Sequence, residues 1–328
     1  MQNNRDYLFD NYKVFLIFLV VVGHFTGPSV GCNEFLRILK WIIVSFHMPA
    51  FIFISGYFSK KDLPILKIIQ RLAIPYVIYE VIYYLWYTFI THKETGLHIL
   101  KPKFTLWYLL ALFLWRVAAP YVKKIPFYMI VSIIAGILIG FSNMEDNFLT
   151  IPRALVYFPF YLAGTDFDRS TLTQWRNSPK AKKVALAVIL AIVIFLTYIG
   201  LQRIAPMQIF YGRYNYISMK QGMAEGVLWR ILLYAIGFFM TFSFMVFMPE
   251  KHLLVSYIGT RTMAIYLFHG LTYTYLDQCT KLLTKRNNVI ETILLLIFCA
   301  AVTWIFSLKP FTAFTNLFSN IHLYKNKK

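Results

Sequence analysis

Long uninterrupted runs of apolar residues constrain this chain more than any other feature. A helix of about 20 apolar residues spans the hydrocarbon layer of a bilayer, and ten such runs follow one another along the sequence. They lie at residues 14–31, 36–57, 69–90, 104–120, 126–142, 150–165, 184–202, 227–247, 253–276 and 289–308. Only 14% of the residues are charged and 59% are hydrophobic, whereas soluble domains carry roughly a quarter charged residues. The sequence therefore predicts an all-α polytopic membrane protein with about ten transmembrane helices.

The formal net charge of +19 does not indicate a nucleic-acid-binding protein, because the Lys and Arg residues lie in short loops between the apolar runs. With ten spans, both termini and the even-numbered loops share one side of the membrane. That side holds more of the basic residues, so the positive-inside rule places both termini in the cytoplasm. We expect the protein in the plasma membrane, with membrane lipids and no nucleic acid as partners.

The polar segments between the runs are short. The two largest are 166–183 and 203–226, and neither is long enough for a soluble domain. We therefore expect residues 1–328 to form a single transmembrane domain with no appended soluble domain. The 203–226 segment, predicted to lie outside the cell, mixes aromatic and basic residues. That mixture is typical of carbohydrate-facing surfaces and equally of an interfacial aromatic belt.

Polar side chains inside the first apolar run indicate a functional helix face. Lys13 and His24 are eleven residues apart, which is three helical turns and about 16 Å along one face. Asp10 precedes Lys13 by three residues and can pair with it. A charged or polar group within a span usually faces a cavity or a partner. The alternative is an interfacial anchor and a histidine that bonds a neighbouring helix.

The second run carries His47 and Pro49, followed by Ser55. We expect His47 at a depth similar to that of His24, since it lies about ten residues from either end of its helix. Pro49 removes a backbone hydrogen bond nearby. Two histidines at one depth beside an interrupted helix favour a central reaction cavity. A kinked structural helix with a packing histidine is the alternative.

Basic residues cluster in the loop before the third run and at the start of that run, at Lys60, Lys61, Lys67 and Arg71. They are predicted at the same surface as Lys13, where together they could hold a polyphosphate such as that of coenzyme A. They are also typical of positions that bind anionic lipid headgroups.

These residues resemble the acyltransferase 3 family of integral membrane O-acyltransferases over nearly the whole chain. The similar motifs, in order, are Lys13-x10-His24, Phe46-His47-Met48-Pro49 to Phe53-Ile54-Ser55-Gly56-Tyr57, Arg71-Leu72-x-x-Pro75-Tyr76, Leu106-Trp107-Tyr108-Leu109 and Tyr266-Leu267-Phe268-His269. The His-Met-Pro sequence looks most like the branch related to fucose-type sugar O-acetylases. Family members often carry a second arginine where this chain has Ile68, next to Lys67.

The resemblance implies transfer of an acetyl group from cytoplasmic acetyl-CoA to a hydroxyl of a cell-surface or lipid-linked glycan. Many relatives carry an extracytoplasmic hydrolase-like domain, so this chain is expected either to act directly or to pass the acyl group to a separate extracytoplasmic transferase. The expected catalytic residues are His24, as base or acyl carrier, with His47 and Asp10. Lys13, Arg71 and Lys67 are expected to bind CoA, and Trp107, Tyr108, His269 and Ser55 to bind substrate. No metal is expected, because the histidines lack carboxylate partners at fixed spacing.

The main alternative is a transporter or flippase for a small polar solute or a lipid-linked sugar. Histidines that line a cavity can relay protons or bind a transported substrate. Dependence on acyl-CoA distinguishes the two functions.

Overall fold

The computed structural model describes residues 5–144, 147–283 and 286–319, and every regular element in these ranges is helical. The α-helices are α1 (Tyr7–Phe25), α2 (Glu34–Tyr57), α3 (Ile65–Ile68), α4 (Ile74–Leu85), α5 (Trp107–Val122), α6 (Tyr128–Leu138), α7 (Ile151–Asp166), α8 (Arg169–Asn177), α9 (Pro179–Gln202), α10 (Met223–Phe247), α11 (Thr262–Cys279), α12 (Val289–Phe306) and α13 (Lys309–Ser319). The π-helical segment Ile69–Ala73 joins α3 to α4, and a second one, Trp86–Ile90, extends α4, so that residues 65–90 form one continuous helix. The predicted all-helical fold is confirmed.

Each of the ten predicted runs overlaps a helix. Five helices, namely α1, α2, α9, α10 and α12, are long and apolar enough by length and composition to cross a membrane. The helix Trp107–Val122 and the helical stretch Tyr128–Phe141 are apolar but shorter. The number of spans and the side of the termini stay predictions.

The first predicted run, 14–31, is wrong at both ends. Helix α1 begins at Tyr7 because the Asp6 side chain caps it by accepting a hydrogen bond from the Leu8 backbone N–H, 3.2 Å away. It ends at Phe25, and a 3₁₀ turn over Gly27–Ser29 follows. Pro28 has no backbone N–H with which to continue an α-helix. Lys13 therefore lies well inside α1, and His24 is its next-to-last residue.

Helices α2 and α7 pack together through two glycines, Gly56 and Gly164. A Cβ atom on Gly164 would meet the backbone oxygen of Phe53 and lie 2.9 Å from the backbone nitrogen of Tyr57. A Cβ on Gly56 would likewise meet the backbone oxygen of Tyr161. Small residues allow helix backbones to approach closely, which is the usual source of helix association in a membrane. This contact fixes α2, which lines the candidate site.

The first turns of α1 bind the segment between α10 and α11. Asn11 Nδ2 donates to the backbone oxygens of Pro249 and Lys251, at 2.8 and 3.0 Å, and Asn11 Oδ1 accepts from Ser256 Oγ at 2.6 Å. A Cβ on Gly259 would collide with the backbone of Asp10. These contacts set the position of α1 along its own axis.

Arg169, at the start of α8, adds a charged link to the same region. Its Nε lies 2.9 Å from Asp6 Oδ2 and its Nη2 lies 2.7 Å from Glu250 Oε1. The hydrogen bond from Arg169 holds the pKa of the Glu250 carboxyl below its usual value. The guanidinium of Arg169 thus binds both the cap residue of α1 and the segment between α10 and α11.

We expect Gly164→Ala to lower the free energy of unfolding by roughly 1–3 kcal/mol, because the added methyl group must push the backbones of α2 and α7 apart. The midpoint of thermal unfolding in detergent measures this. Gly31→Ala is the matched control, since no atom lies within 4 Å of the added Cβ. Equal midpoints for the two variants would contradict the close packing of α2 on α7.

Candidate active site

A cavity of about 340 Å³ runs along one face of α1. From this helix it is lined by Lys13, Ile17, Val20 and His24, a spacing of three to four residues that places all four on one side of the helix. At 1.5 Å per residue, the cavity wall between Lys13 and His24 is about 16 Å long. The structure therefore brings both predicted residues of the first motif into one cavity.

Helices α2 and α5 form the opposite wall. Ser55 Oγ and Tyr108 Oη lie 2.5 Å apart in a hydrogen bond, and both side chains line the cavity. Trp107 lines it as well, and the guanidinium carbon of Arg153 lies 4.8 Å from a ring centroid of Trp107. Three of the four predicted substrate-binding residues thus lie in this wall.

The end of the cavity near Lys13 is cationic. Arg71 and Arg116 line it together with Lys13, and Arg116 Nη2 donates to the backbone oxygen of Lys61 at 2.6 Å. Arg71 lies in the π-helical segment Ile69–Ala73. Such widened turns change the direction in which side chains point and are frequent at functional sites. Three positive groups at one mouth form a suitable site for a polyanion.

Asp10 lies behind this mouth. It is buried, and its carboxylate accepts from Arg5 Nε at 2.5 Å and pairs with Lys13 Nζ at 3.0 Å. The predicted pairing of Asp10 with Lys13 is present, but Asp10 is not among the lining residues. Its contact with the site is through Lys13, so the carboxylate orients that ammonium group.

His24 at the inner end is surrounded by rings. Its ring centroid lies 4.9 Å from that of Phe104, 5.3 Å from that of His269 and 6.0 Å from that of Tyr273. His269 is fully buried, and its Nδ1 bonds to the backbone oxygen of Ile265 at 2.9 Å. A carbonyl oxygen only accepts, so Nδ1 carries the proton and Nε2 of the neutral ring is an acceptor. That Nε2 is buried without a partner among the described residues.

His47 lies apart from the cavity that contains His24. It is buried in α2, where its Nδ1 bonds to the backbone oxygen of Ile43 at 2.7 Å, and it is not a lining residue. The sequence predicts His24 and His47 at a similar depth, and the ring contacts of His24 among the described residues are with Phe104, His269 and Tyr273. His47 as a direct catalytic group stays a prediction.

A buried ion pair that the sequence analysis did not single out positions the segment before α5. Lys103 Nζ lies 2.9 Å from Glu80 Oε1, the Lys103 backbone N–H donates to Glu80 Oε2 at 3.1 Å, and Glu80 is completely buried. The neighbouring Thr105 lines the cavity, and its backbone oxygen accepts from Tyr266 Oη. Because this pair fixes the backbone next to Phe104, it also fixes one face of the His24 environment.

Two residues that the sequence analysis did not single out, Glu80 and Arg116, have a recognisable signal in the sequence. Glu80 is a carboxylate inside the predicted run 69–90, and Arg116 is a guanidinium inside the run 104–120. Charged groups within spans are functional candidates by default, and this rule applies to both residues. Lys67, predicted to bind CoA, is exposed and lies one turn before Arg71, outside the cavity lining.

A helical bundle with long apolar helices, in which a cavity joins a cationic mouth to a buried histidine, is typical of a membrane enzyme that acts on a polyanionic substrate. The sequence model of the acyltransferase 3 family, described as an acyltransferase domain, matches residues 6–308. The chain belongs to this family and is a membrane-embedded acyltransferase. No curated protein and no solved structure matches the chain.

We expect Ser55→Cys to react with a water-soluble maleimide, because the cavity admits water and a thiol needs water to ionise. Ser45→Cys, a fully buried position on the same helix, should stay unmodified. The background for both variants is Cys32→Ser with Cys279→Ser, since these two cysteines are exposed and Cys299 is buried. Mass spectrometry measures the labelled fraction, and equal labelling at both positions would contradict the assigned cavity.

Proposed function

We propose that this protein transfers an acetyl group from cytoplasmic acetyl-CoA to a hydroxyl of a cell-surface or lipid-linked sugar. The observation that carries the proposal is the single cavity from the cationic mouth to His24. The proposed topology is one domain over residues 1–328 with ten spans in the plasma membrane and both termini in the cytoplasm. Family membership supports acyl transfer in a membrane, and the donor and acceptor are part of the proposal.

The cationic mouth suits the phosphates of CoA. Lys13, Arg71 and Arg116 supply three positive groups, and Lys67 is an exposed residue one turn before Arg71 on the same helix. The pantetheine arm is roughly 15–20 Å long, which matches the rise of about 16 Å from Lys13 to His24 along α1. An acyl thioester bound in this way lies beside His24.

His24 then acts as the general base. As the acceptor oxygen bonds to the thioester carbonyl carbon, the imidazole takes the hydroxyl proton, and the C–S bond breaks. The proton passes to the CoA sulfur, which leaves as the thiol. The Ser55 hydroxyl donates to the backbone oxygen of Phe51, so Tyr108 is the donor in the Ser55–Tyr108 pair. The Tyr108 hydroxyl can turn from Ser55 to donate to the oxyanion that develops. His269 Nε2, the buried acceptor, can hold an N–H of His24 and so orient the ring.

We expect His24→Ala to lower acetyl transfer by a factor of about 10²–10⁴, the usual contribution of a general base. The measurement is release or transfer of label from radiolabelled acetyl-CoA by purified protein in lipid. His252→Ala, which removes an exposed histidine, is the matched control and should keep wild-type turnover.

Full activity in a folded His24→Ala variant would contradict this chemistry. A well-folded wild type that neither binds nor turns over acetyl-CoA would instead favour the transporter or flippase.

We expect Arg116→Gln to raise the KM for acetyl-CoA by a factor of roughly 10–150 with little change in kcat, because a charge-assisted hydrogen bond to phosphate contributes about 1.5–3 kcal/mol in both ground and transition states. Lys180→Gln, an exposed residue of α9 outside the cavity lining, is the control for loss of one positive charge. A fall in kcat at unchanged KM would place Arg116 at the reacting atoms instead of the phosphates.

A further inference from the structure

A second cavity, of about 360 Å³, lies at the opposite end of the bundle from the cationic mouth. It is bounded by the turn after α1, the first half of α2, the end of α9 and the segment that follows α9. Its lining includes Arg37, Lys40, Arg203, Trp41 and Tyr211. Three positive groups and two aromatic rings thus surround a space that is separate from the proposed acetyl-CoA site.

Two of these positive groups are uncommitted. Arg37 is paired, since its Nη2 lies 3.1 Å from Glu34 Oε1 and its Nε donates to the backbone oxygen of Gly200 at 3.2 Å. Lys40, which is half-buried, and Arg203, which is exposed, have no hydrogen-bond or ion-pair partner within the described ranges. A partly buried cation such as Lys40 is costly unless an anion or water satisfies it. The cavity therefore has free positive charge for an oxyanion.

The second cavity reaches the back of the His24 environment. Gly27, three residues after His24, lines it. Lys40 Nζ lies 3.2 Å, and Tyr273 Oη 3.7 Å, from the position that a Cβ on Gly27 would occupy. The ring of Tyr273 packs on that of His24, with centroids 6.0 Å apart. The short segment from His24 to Gly27 is thus in contact with one cavity on each side.

We infer that the second cavity binds the acceptor and that the acceptor sugar carries a phosphate held by Lys40 and Arg203. This inference rests on the proposed function and gives its acceptor a chemical class. Lys40 and Arg203 bind the phosphate, and the half-buried ring of Tyr211 offers an apolar face to the sugar. The sugar hydroxyl then approaches His24 past Gly27, which lies beside Lys40 Nζ and Tyr273 Oη. The phosphate belongs either to a soluble sugar phosphate or to a polyprenyl-linked sugar.

The test measures binding of radiolabelled probes to the full-length protein in phosphatidylcholine nanodiscs. The probes are glucose 1-phosphate, a polyprenyl diphosphate-linked glucose and, as the neutral control, methyl glucoside. Acetyl-CoA binding is measured on the same samples. Wild type is compared with Lys40→Gln, Arg203→Gln and the charge-keeping Lys40→Arg. Lys182→Gln, near the other end of α9 from Arg203, is the matched control for loss of charge.

We expect wild type to bind at least one phosphate probe and not methyl glucoside. Lys40→Gln and Arg203→Gln should each weaken binding about tenfold, as expected for loss of a charge-assisted hydrogen bond, with Lys40→Arg and Lys182→Gln close to wild type. Acetyl-CoA binding should be the same in all variants. Binding of the polyprenyl probe alone identifies a lipid-linked acceptor, and binding of glucose 1-phosphate identifies a soluble one.

Three results would overturn the inference. The first is acetyl-CoA binding without binding of either phosphate probe, and the second is equal probe binding by wild type and Lys40→Gln. The third is displacement of the probe by phosphatidylglycerol at equal concentration, which would make the cavity a site for lipid headgroups. If the wild-type protein does not bind acetyl-CoA, the proposed function itself is contradicted. Failure of the proposed function is therefore distinguishable from failure of the inference about the acceptor.

Discussion

The buried pair of Glu80 and Lys103 is the interaction on which the candidate site most depends. Non-helical backbone is tolerated at membrane depth only where protein satisfies its polar groups. Lys103 supplies both its ammonium and its backbone N–H to the same carboxylate. Phe104 is therefore held against His24, and Thr105 in the cavity wall, without belonging to a helix. Removing one partner of such a pair typically costs 3–5 kcal/mol, because a buried charge is left unpaired.

Helix α1 positions Lys13 and His24 at the two ends of the cavity. Asp6 and Asn11 fix its first turns, through the cap and through bonds to the segment after α10. The Gly27–Ser29 turn fixes its end. The distance between Lys13 and His24 is then a property of a single rigid element. Sites built on helices hold reacting groups more closely than sites built on loops.

The sequence was informative wherever a single helix carries the information. The apolar runs predict the helices, and the interval from Lys13 to His24 predicts a shared face. The ring contact between His24 and His269 could not be predicted, because the two residues lie on helices far apart in the chain. The π turn around Arg71 has no clear sequence signal, since the surrounding residues are compatible with an ordinary helix. The start of α1 was missed because polar residues such as Asp10 conceal its first turns from a hydropathy criterion.

The segment from His24 to Gly27 separates the two cavities, and this has an electrical consequence for the proposed reaction. In the proposed reaction, the phosphates of CoA stay on one side of the segment and the phosphate of the acceptor stays on the other. What crosses is an acyl group, formally a cation, in exchange for one proton that moves the opposite way. The exchange is electroneutral, so the transmembrane potential, worth about 2.3 kcal/mol per charge per 100 mV, neither drives nor opposes it. The thioester alone supplies the driving force.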